Sequence, residues 1–266
     1  MSVSIKSPRE IELMRVAGRI VGNTLAELRD TVDAGMSTKE VDQLADRAVR
    51  RQGGDPAFPY VNQFPGCACV SVNQEVVHGI PGKRKLKDGD LVKVDVGAIY
   101  EGYHGDAAVT IPVGRVSQEA RRLIDVTEEA LRCGIEAART DGFLHDIGAA
   151  IEDCVKPSGF SIVRQYVGHG VGRELHEDPT VPHYRQPNRG LRLRPGMTLT
   201  IEPMINAGTF DTRLLDDDWT VVTADGRLSA QFEHTVLITD GDPEILTAPD
   251  KGRMWSIPFE TANVVQ

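Results

Sequence analysis

From Ile11 through Met14, Ala17, Val21, Leu25 and Leu28, apolar residues recur every three or four positions, the period of one face of an amphipathic helix. Ser7-Pro8-Arg9-Glu10 precedes the run: Ser7 is a fitting N-cap, Pro8 suits the first helical position, and Glu10 completes a capping box. A second helix is predicted from Ser37-Thr38, with Glu40 as box partner, a buried face of Val41, Leu44, Ala45 and Ala48, and Gly53-Gly54 as its end. Phe58 to Gly66 then reads as a loop rich in proline and aromatics. Strands are expected over Cys69 to Val72 and from Val76 into the turn His78-Gly79-Ile80-Pro81-Gly82.

The next stretch, Leu91 to Ile99, is a β-rich apolar run that turns near Tyr100 to Gly102 and returns toward Val109 and Ile111, a hairpin. A turn centred between residues 100 and 101 pairs 99 with 102 and 95 with 106, which sets Asp95 and Asp106 opposite each other on one face. Two carboxylates that close either point to solvent at a sheet edge or, as the mostly apolar strand favours, hold a cation between them, given further ligands.

The pattern then repeats. A long helix is predicted from Ser117-Gln118-Glu119 through Leu123, Leu131 and Ile135 to Gly142, and another from about Leu144 to Val155, closed by Pro157-Ser158-Gly159, before further strands. Leu86 to Asp95 lies over Leu193 to Glu202, and the same offset of 107 residues relates Gly35 to Gly142. The chain therefore reads as an α+β protein of two helix–helix–strand halves, about 7–115 and 117–247, related by a pseudo-twofold axis and forming one catalytic domain over 1–266. Asp95 maps onto Glu202, a carboxylate for a carboxylate, and Glu202 sits in a segment so apolar that an unpaired charge would be costly to bury.

Composition narrows the function. A net charge of −9 argues against direct nucleic-acid binding, and Lys83-Arg84-Lys85-Leu86-Lys87 reads as a solvated turn. The start Met1 to Lys6 lacks the apolar core of a signal peptide and no run has the length of a membrane span, so a cytoplasmic protein without membrane contact is expected. Four scattered cysteines make no disulfide framework. Without an evident apolar surface segment, a monomer is expected.

Two further stretches offer ligands: His169 among glycines in Gly168-His169-Gly170-Val171-Gly172, and Glu233 at the head of the apolar strand His234 to Ile238. Asp95, Asp106, His169, Glu202 and Glu233 form an oxygen-rich set with one imidazole. Such a set suits two hard or borderline divalent ions about 3.5–4 Å apart.

At this point the sequence resembles type I methionine aminopeptidases, metallopeptidases of the pita-bread fold. The likeness runs from about Ser7 to Thr247 and rests on His78-Gly79-Ile80-Pro81, the spacing of Asp95 and Asp106, Gly168 to Gly172, Glu202-Pro203 and Glu233-His234-Thr235. The resemblance implies a curved antiparallel sheet around two metal ions (Co, Mn, Fe or Zn), with Asp95 on one, Asp106 and Glu233 bridging, and His169 and Glu202 on the other. It implies removal of the N-terminal methionine from nascent proteins at the ribosome and from peptides, with a small second residue preferred. Glu202 is the candidate general base, His176 would stabilise the tetrahedral intermediate, and His78 would contact the peptide beyond the scissile bond. Phe64, Cys69 and Trp219 match the family's methionine pocket. Phe58, Val61 and Leu175 stand where cysteine, tyrosine and an aromatic are common. His104, His145, His183 and His234 read as structural or exposed.

Rival readings are an Xaa-Pro peptidase of the same fold, which usually carries a large N-terminal domain, and a metal-free pita-bread binding module, which would have lost ligands present here. Met1-Ser2 has the small second residue the family accepts, so the mature chain is expected to begin at Ser2. No motif is read in residues 248–266.

Overall fold

Both serine boxes form. In a computed structural model of the chain, which describes residues 3–251, helix α1 (Pro8–Thr31) starts where the Ser7 hydroxyl accepts from the Glu10 N–H and the Glu10 carboxylate accepts from the Ser7 N–H. Helix α2 (Thr38–Arg51) repeats this with Ser37 and Glu40 and is followed by Gly53 at φ +84°. Strands β1 (Asp55–Pro56), β2 (Ala68–Val72), β3 (Glu75–Val77), β4 (Leu91–Tyr100) and β5 (Tyr103–Pro112) complete the first half. The expected start at Ser2 and most of the motif-free tail lie outside the described residues.

The β4–β5 hairpin has a different register from the one expected. Tyr100 pairs with Tyr103 across Glu101-Gly102, whose φ angles of 46° and 79° are those of a two-residue turn matched to strand twist. Asp95 therefore faces Ala108, and Asp106 faces Gly97. The slip is an even number of residues, so the aspartates stay on one face as diagonal neighbours. Along β4, Val92, Val94, Val96 and Ala98 enter the main apolar core, while Asp95 lines a cavity.

The second half contributes α3 (Gln118–Ala137), α4 (Leu144–Val155), β6 (Ser161–Ile162), β7 (Gly168–Gly170), β8 (Glu177–Val181), β9 (Thr198–Ile201), β10 (Met204–Asn206), β11 (Thr212–Leu214), β12 (Val221–Thr223), β13 (Ser229–Gln231), β14 (His234–Leu237) and β15 (Glu244–Ile245). Helix α4 has the expected bounds. Helix α3 stops at Ala137 rather than near Gly142, and the Gly142 N–H donates to the Arg139 carbonyl in a turn. Each half joins the start of its second helix to the chain leading into its central strand, through Ser37–Lys85 and Phe143–Arg192.

The strands form four antiparallel ladders: β1-β4-β2 with β5 on β4, β15-β14-β9-β7-β8, β13-β10-β6, and β11-β12-β3. Two of the breaks are aligned. Ile201 pairs with His234 on one side and Met204 with Gln231 on the other, so Glu202-Pro203 and Phe232-Glu233 lie between ladders. Pro203 has no N–H to continue pairing. The halves are stitched at this place: the Glu233 N–H donates to the Ala108 carbonyl at 2.9 Å, the Asp106 N–H to Thr235 Oγ1 at 3.1 Å, and the Thr110 hydroxyl to the Gln231 carbonyl at 2.7 Å.

Helix α1 lies across β4 and β5 at Gly18 and Gly105, and a Cβ on Gly105 would come within 2.7 Å of the Gly18 backbone nitrogen. Gly105→Ala is expected to lower stability by about 1–3 kcal/mol, read as a drop in denaturant midpoint. An unchanged midpoint would count against this close approach.

Candidate metal centre

The seam between the halves opens into a cavity of about 360 Å³. Asp95 reaches it from β4, Asp106 from β5, His169 from β7, and Glu202 and Glu233 from the aligned strand breaks. All five side chains proposed from sequence thus meet in one place. His169 Nε2 lies 3.8 Å from Asp106 Oδ2 and 3.6 Å from Glu202 Oε1, and donor atoms of Asp106, His169 and Glu233 lie within 4.8 Å of one another.

Local backbone explains how His169 gets there. A Cβ on Gly168 would overlap the Thr200 carbonyl and one on Gly170 the Asp178 carbonyl, so only glycines let β7 lie this close to its neighbours. His169 Nδ1 sits 2.9 Å from the Gly170 carbonyl, which can only accept; the ring proton is therefore on Nδ1 and Nε2 presents its lone pair to the carboxylates. The Thr200 hydroxyl donates to Glu202 Oε1 at 2.9 Å and accepts from the His169 N–H at 2.9 Å, tying two of the five together.

Electrostatics make this an unusual cluster. Asp106, Glu202 and Glu233 are buried, and no lysine or arginine among the described residues lies within ion-pairing distance of the four carboxylates. Burial, with a hydrogen bond from Asp106 opposing it, pushes the Asp95 carboxyl up to about 7. Burial and then the Asp95 charge push Glu202 up to about 8. Asp106 and Glu233 are driven well above the usual range, by burial and by their carboxylate neighbours. His169 is held down to about 3, by burial and then by His176, so its imidazole is neutral. Asp95 Oδ1, Asp106 Oδ1 and Glu233 Oε1 are buried with no hydrogen-bond partner. Orphaned carboxylate oxygens facing a neutral imidazole are the donor set of a divalent cation site.

Apolar residues form the rest of the wall. Phe58, Phe64, Cys69 and Leu175 pack as a buried cluster with Val61 and Trp219 against it, so the three expected pocket residues and the three departures share one surface. Phe64 meets Phe58 and Trp219 edge-on at 6.2 and 5.1 Å. Gly97 leaves room for Phe58, whose ring would be 2.8 Å from a Cβ there. His78, at φ +58°, stands edge-on to Tyr166 and Trp219, and His176 lies edge-on to His169 at 4.4 Å between centroids.

Sequence reasoning missed several lining residues. Met204 and Gln231 flank the strand breaks two positions from Glu202 and Glu233, a period-two signal that points to them. Gln165, Tyr166 and Asn62 come from loops and left no pattern. Of the histidines read as structural or exposed, His104, His183 and His234 are buried, and His183 Nε2 accepts from the Glu202 N–H at 3.1 Å, bracing the loop that carries Glu202. His145, half-buried, bonds through Nδ1 to the Asn188 carbonyl.

Residues 12–240 match the profile of metallopeptidase family M24. Methionine aminopeptidase 1 of Bacillus subtilis is 53% identical over 242 residues, 91% of this chain and 98% of that protein. Among solved structures, a methionine aminopeptidase from Thermotoga maritima superposes with a TM-score of 0.91 at 45% identity, covering 93% of this chain and all of that one. A prolidase from Pyrococcus furiosus gives a TM-score of 0.74 at 25% identity, covering 93% of this chain and 66% of that one. The pita-bread fold is thus the fold of this chain.

A pH dependence follows from the carboxylates. Their raised pKa values mean that the metal-free folded state holds protons which the unfolded chain, near the ordinary 3.8 and 4.5, has already released. Stability contributed at these groups therefore falls as pH rises from about 4 to about 8. A bound cation replaces those protons. The gap in Tm between metal-loaded and chelated protein should widen from pH 5 to pH 8 at saturating metal; a gap that narrows over that range would contradict the assignment.

Proposed function

The chain belongs to metallopeptidase family M24 and acts as a metal-dependent aminopeptidase removing N-terminal methionine; we propose how its residues divide that work. Asp95, Asp106, His169, Glu202 and Glu233 would together hold two divalent ions. The observation that carries the reading is the three orphaned carboxylate oxygens on the wall of a cavity whose other wall is apolar.

Two ions of the Mn, Fe, Co or Zn class would supply Lewis acidity toward the scissile carbonyl and toward water. The chain's own groups do the rest. Glu202, oriented by the Thr200 hydroxyl, takes the proton of the attacking water and delivers it to the leaving amine. His176, exposed beside His169, donates an N–H to the oxygen that gains charge in the tetrahedral intermediate. His78, held between Tyr166 and Trp219 and kept neutral by burial that lowers its pKa to about 4, contacts the peptide beyond the scissile bond.

The cluster of Phe64, Cys69 and Trp219, closed by Phe58, Val61 and Leu175, takes the methionine side chain, whose flexible thioether suits an aromatic wall. The substrates are N-termini with a small second residue, on peptides and on nascent polypeptides at the ribosome. The protein works as a cytoplasmic monomer with one catalytic domain over 1–266. No helix among the described residues is long and apolar enough to cross a membrane, in keeping with that reading.

Glu202→Gln should leave the fold intact, judged by circular dichroism, and abolish turnover; retained activity would remove Glu202 from the mechanism. His176→Ala should lower kcat by about 10²–10³, and an effect on KM alone would contradict its role. Chelated enzyme reconstituted with Mn²⁺, Fe²⁺, Co²⁺ or Zn²⁺ should release methionine from Met-Ala-Ser and disfavour Leu-Ala-Ser by about 10–200-fold. Equal rates on the two would mean that Phe58, Val61 and Leu175 have opened the pocket. Cleavage of Ala-Pro-Ala alone would overturn the reading.

A further inference from the structure

Helices α3 and α4 assemble a second group of donors. Cys133 follows Glu129 by one turn on α3, so both project from the same face, and Cys154 meets them from α4. One carboxylate oxygen and the two sulfurs all lie within 4.8 Å of one another, with Cys133 Sγ 3.8 Å from Glu129 Oε1. Neither thiol is in a disulfide, all three residues are half-buried, and none lines the catalytic cavity.

We propose that Glu129, Cys133 and Cys154 form a further metal site, separate from the carboxylate centre, for a thiophilic divalent cation of the zinc class, with water as fourth ligand. Tetrahedral zinc, with bonds of about 2.3 Å to sulfur and 2.0–2.2 Å to oxygen, needs donor separations of about 3.4–3.8 Å. The Cys133 Sγ–Glu129 Oε1 separation of 3.8 Å meets that range, the other two are within 4.8 Å, and two of the donors ride on one rigid helix.

Charge also fits. Two thiolates and a carboxylate balance a dication together with Arg132, whose Nε donates to Glu129 Oε2 at 2.7 Å and whose Nη2 lies 3.9 Å from Cys133 Sγ. Arg132 pairs with Glu136 as well, so the guanidinium that orients the Glu129 carboxylate is itself held in place. Without a cation, the Cys133 S–H donates to Glu129 Oε1, and the interaction between the two thiols raises the pKa of Cys133 and lowers that of Cys154. Metal binding releases those protons. The nearby carboxylate is what favours a cation over a disulfide, in which Glu129 would have no part.

The two centres differ in ligand chemistry, and that separates them experimentally. Oxygen and imidazole donors accept Mn²⁺, whereas thiolates select zinc-like ions. The full chain, stripped of metal and kept reduced, is titrated with Co²⁺. One cobalt per chain beyond those of the carboxylate centre should give a near-ultraviolet sulfur-to-cobalt charge-transfer band, abolished by Zn²⁺ and untouched by Mn²⁺. The double variant Cys133→Ser, Cys154→Ala should lose the band and one equivalent of metal while releasing methionine from a short peptide at the parent rate. Cys69→Ala, which removes the thiol beside the carboxylate centre, should keep the band. Glu129→Gln should weaken cobalt binding about tenfold or more.

If the double variant fails to fold, alkylation of the native chain serves instead, with Zn²⁺ expected to protect Cys133 and Cys154. A band that survives the double variant overturns the proposal, as does the absence of any band or of zinc protection. So does a mass two hydrogens lighter after exposure to air that Zn²⁺ does not prevent, since the thiols would then be a redox pair.

Discussion

Four carboxylates crowded at the seam between the halves, with no lysine or arginine among the described residues beside them, set the terms for the rest of the molecule. Desolvated like charges oppose folding unless protons or cations neutralise them. The fold meets this by drawing on both halves: Asp95 and Asp106 come from the first hairpin, His169, Glu202 and Glu233 from the second half. Neither half contains a complete donor set. The backbone bond from the Glu233 N–H to the Ala108 carbonyl and the bond from the Asp106 N–H to the Thr235 hydroxyl align the two carboxylate pairs. Docking of the halves and assembly of the centre are therefore one event.

The same strands serve the substrate side. Gly97, two residues after Asp95, gives the Phe58 ring its place, and Cys69 pairs with Asp95 across the neighbouring strand. Of the apolar wall, Cys69 comes from strand β2 beside Asp95, while Phe58, Val61, Phe64, Leu175 and Trp219 come from a short helical turn and from loops. The proposed side-chain pocket and the proposed hydrolytic groups meet at the β2–β4 ladder, an arrangement that would place a cleavable bond against those groups.

Much of this was legible in the sequence, and the gaps have physical reasons. The helix starts at Ser7, Ser37 and Ser117 followed from local capping chemistry, which tertiary packing leaves alone. The hairpin was legible as an element but not in register, because Glu101 takes up a left-handed conformation uncommon for a side chain with a Cβ. The proposed cluster survived that slip because an even shift keeps the side-chain face. The ladder break at Glu202-Pro203 is hidden inside an apolar run that reads as a continuous strand, whereas Glu233 already reads as the head of its strand. Gln165, Tyr166 and Asn62 enter the cavity through loops whose path no periodicity encodes. His183 reads only as a structural or exposed histidine, and its contact with the Glu202 backbone depends on how two distant segments meet.

The claim on which all this rests is that cations neutralise the buried carboxylates, and anomalous diffraction from Mn²⁺-loaded crystals tests it most directly. The account requires two anomalous peaks in the cavity, one bonded to Asp95, Asp106 and Glu233 and the other to Asp106, Glu233, His169 and Glu202. Peaks elsewhere, or none in the cavity at saturating Mn²⁺ and neutral pH, would contradict it.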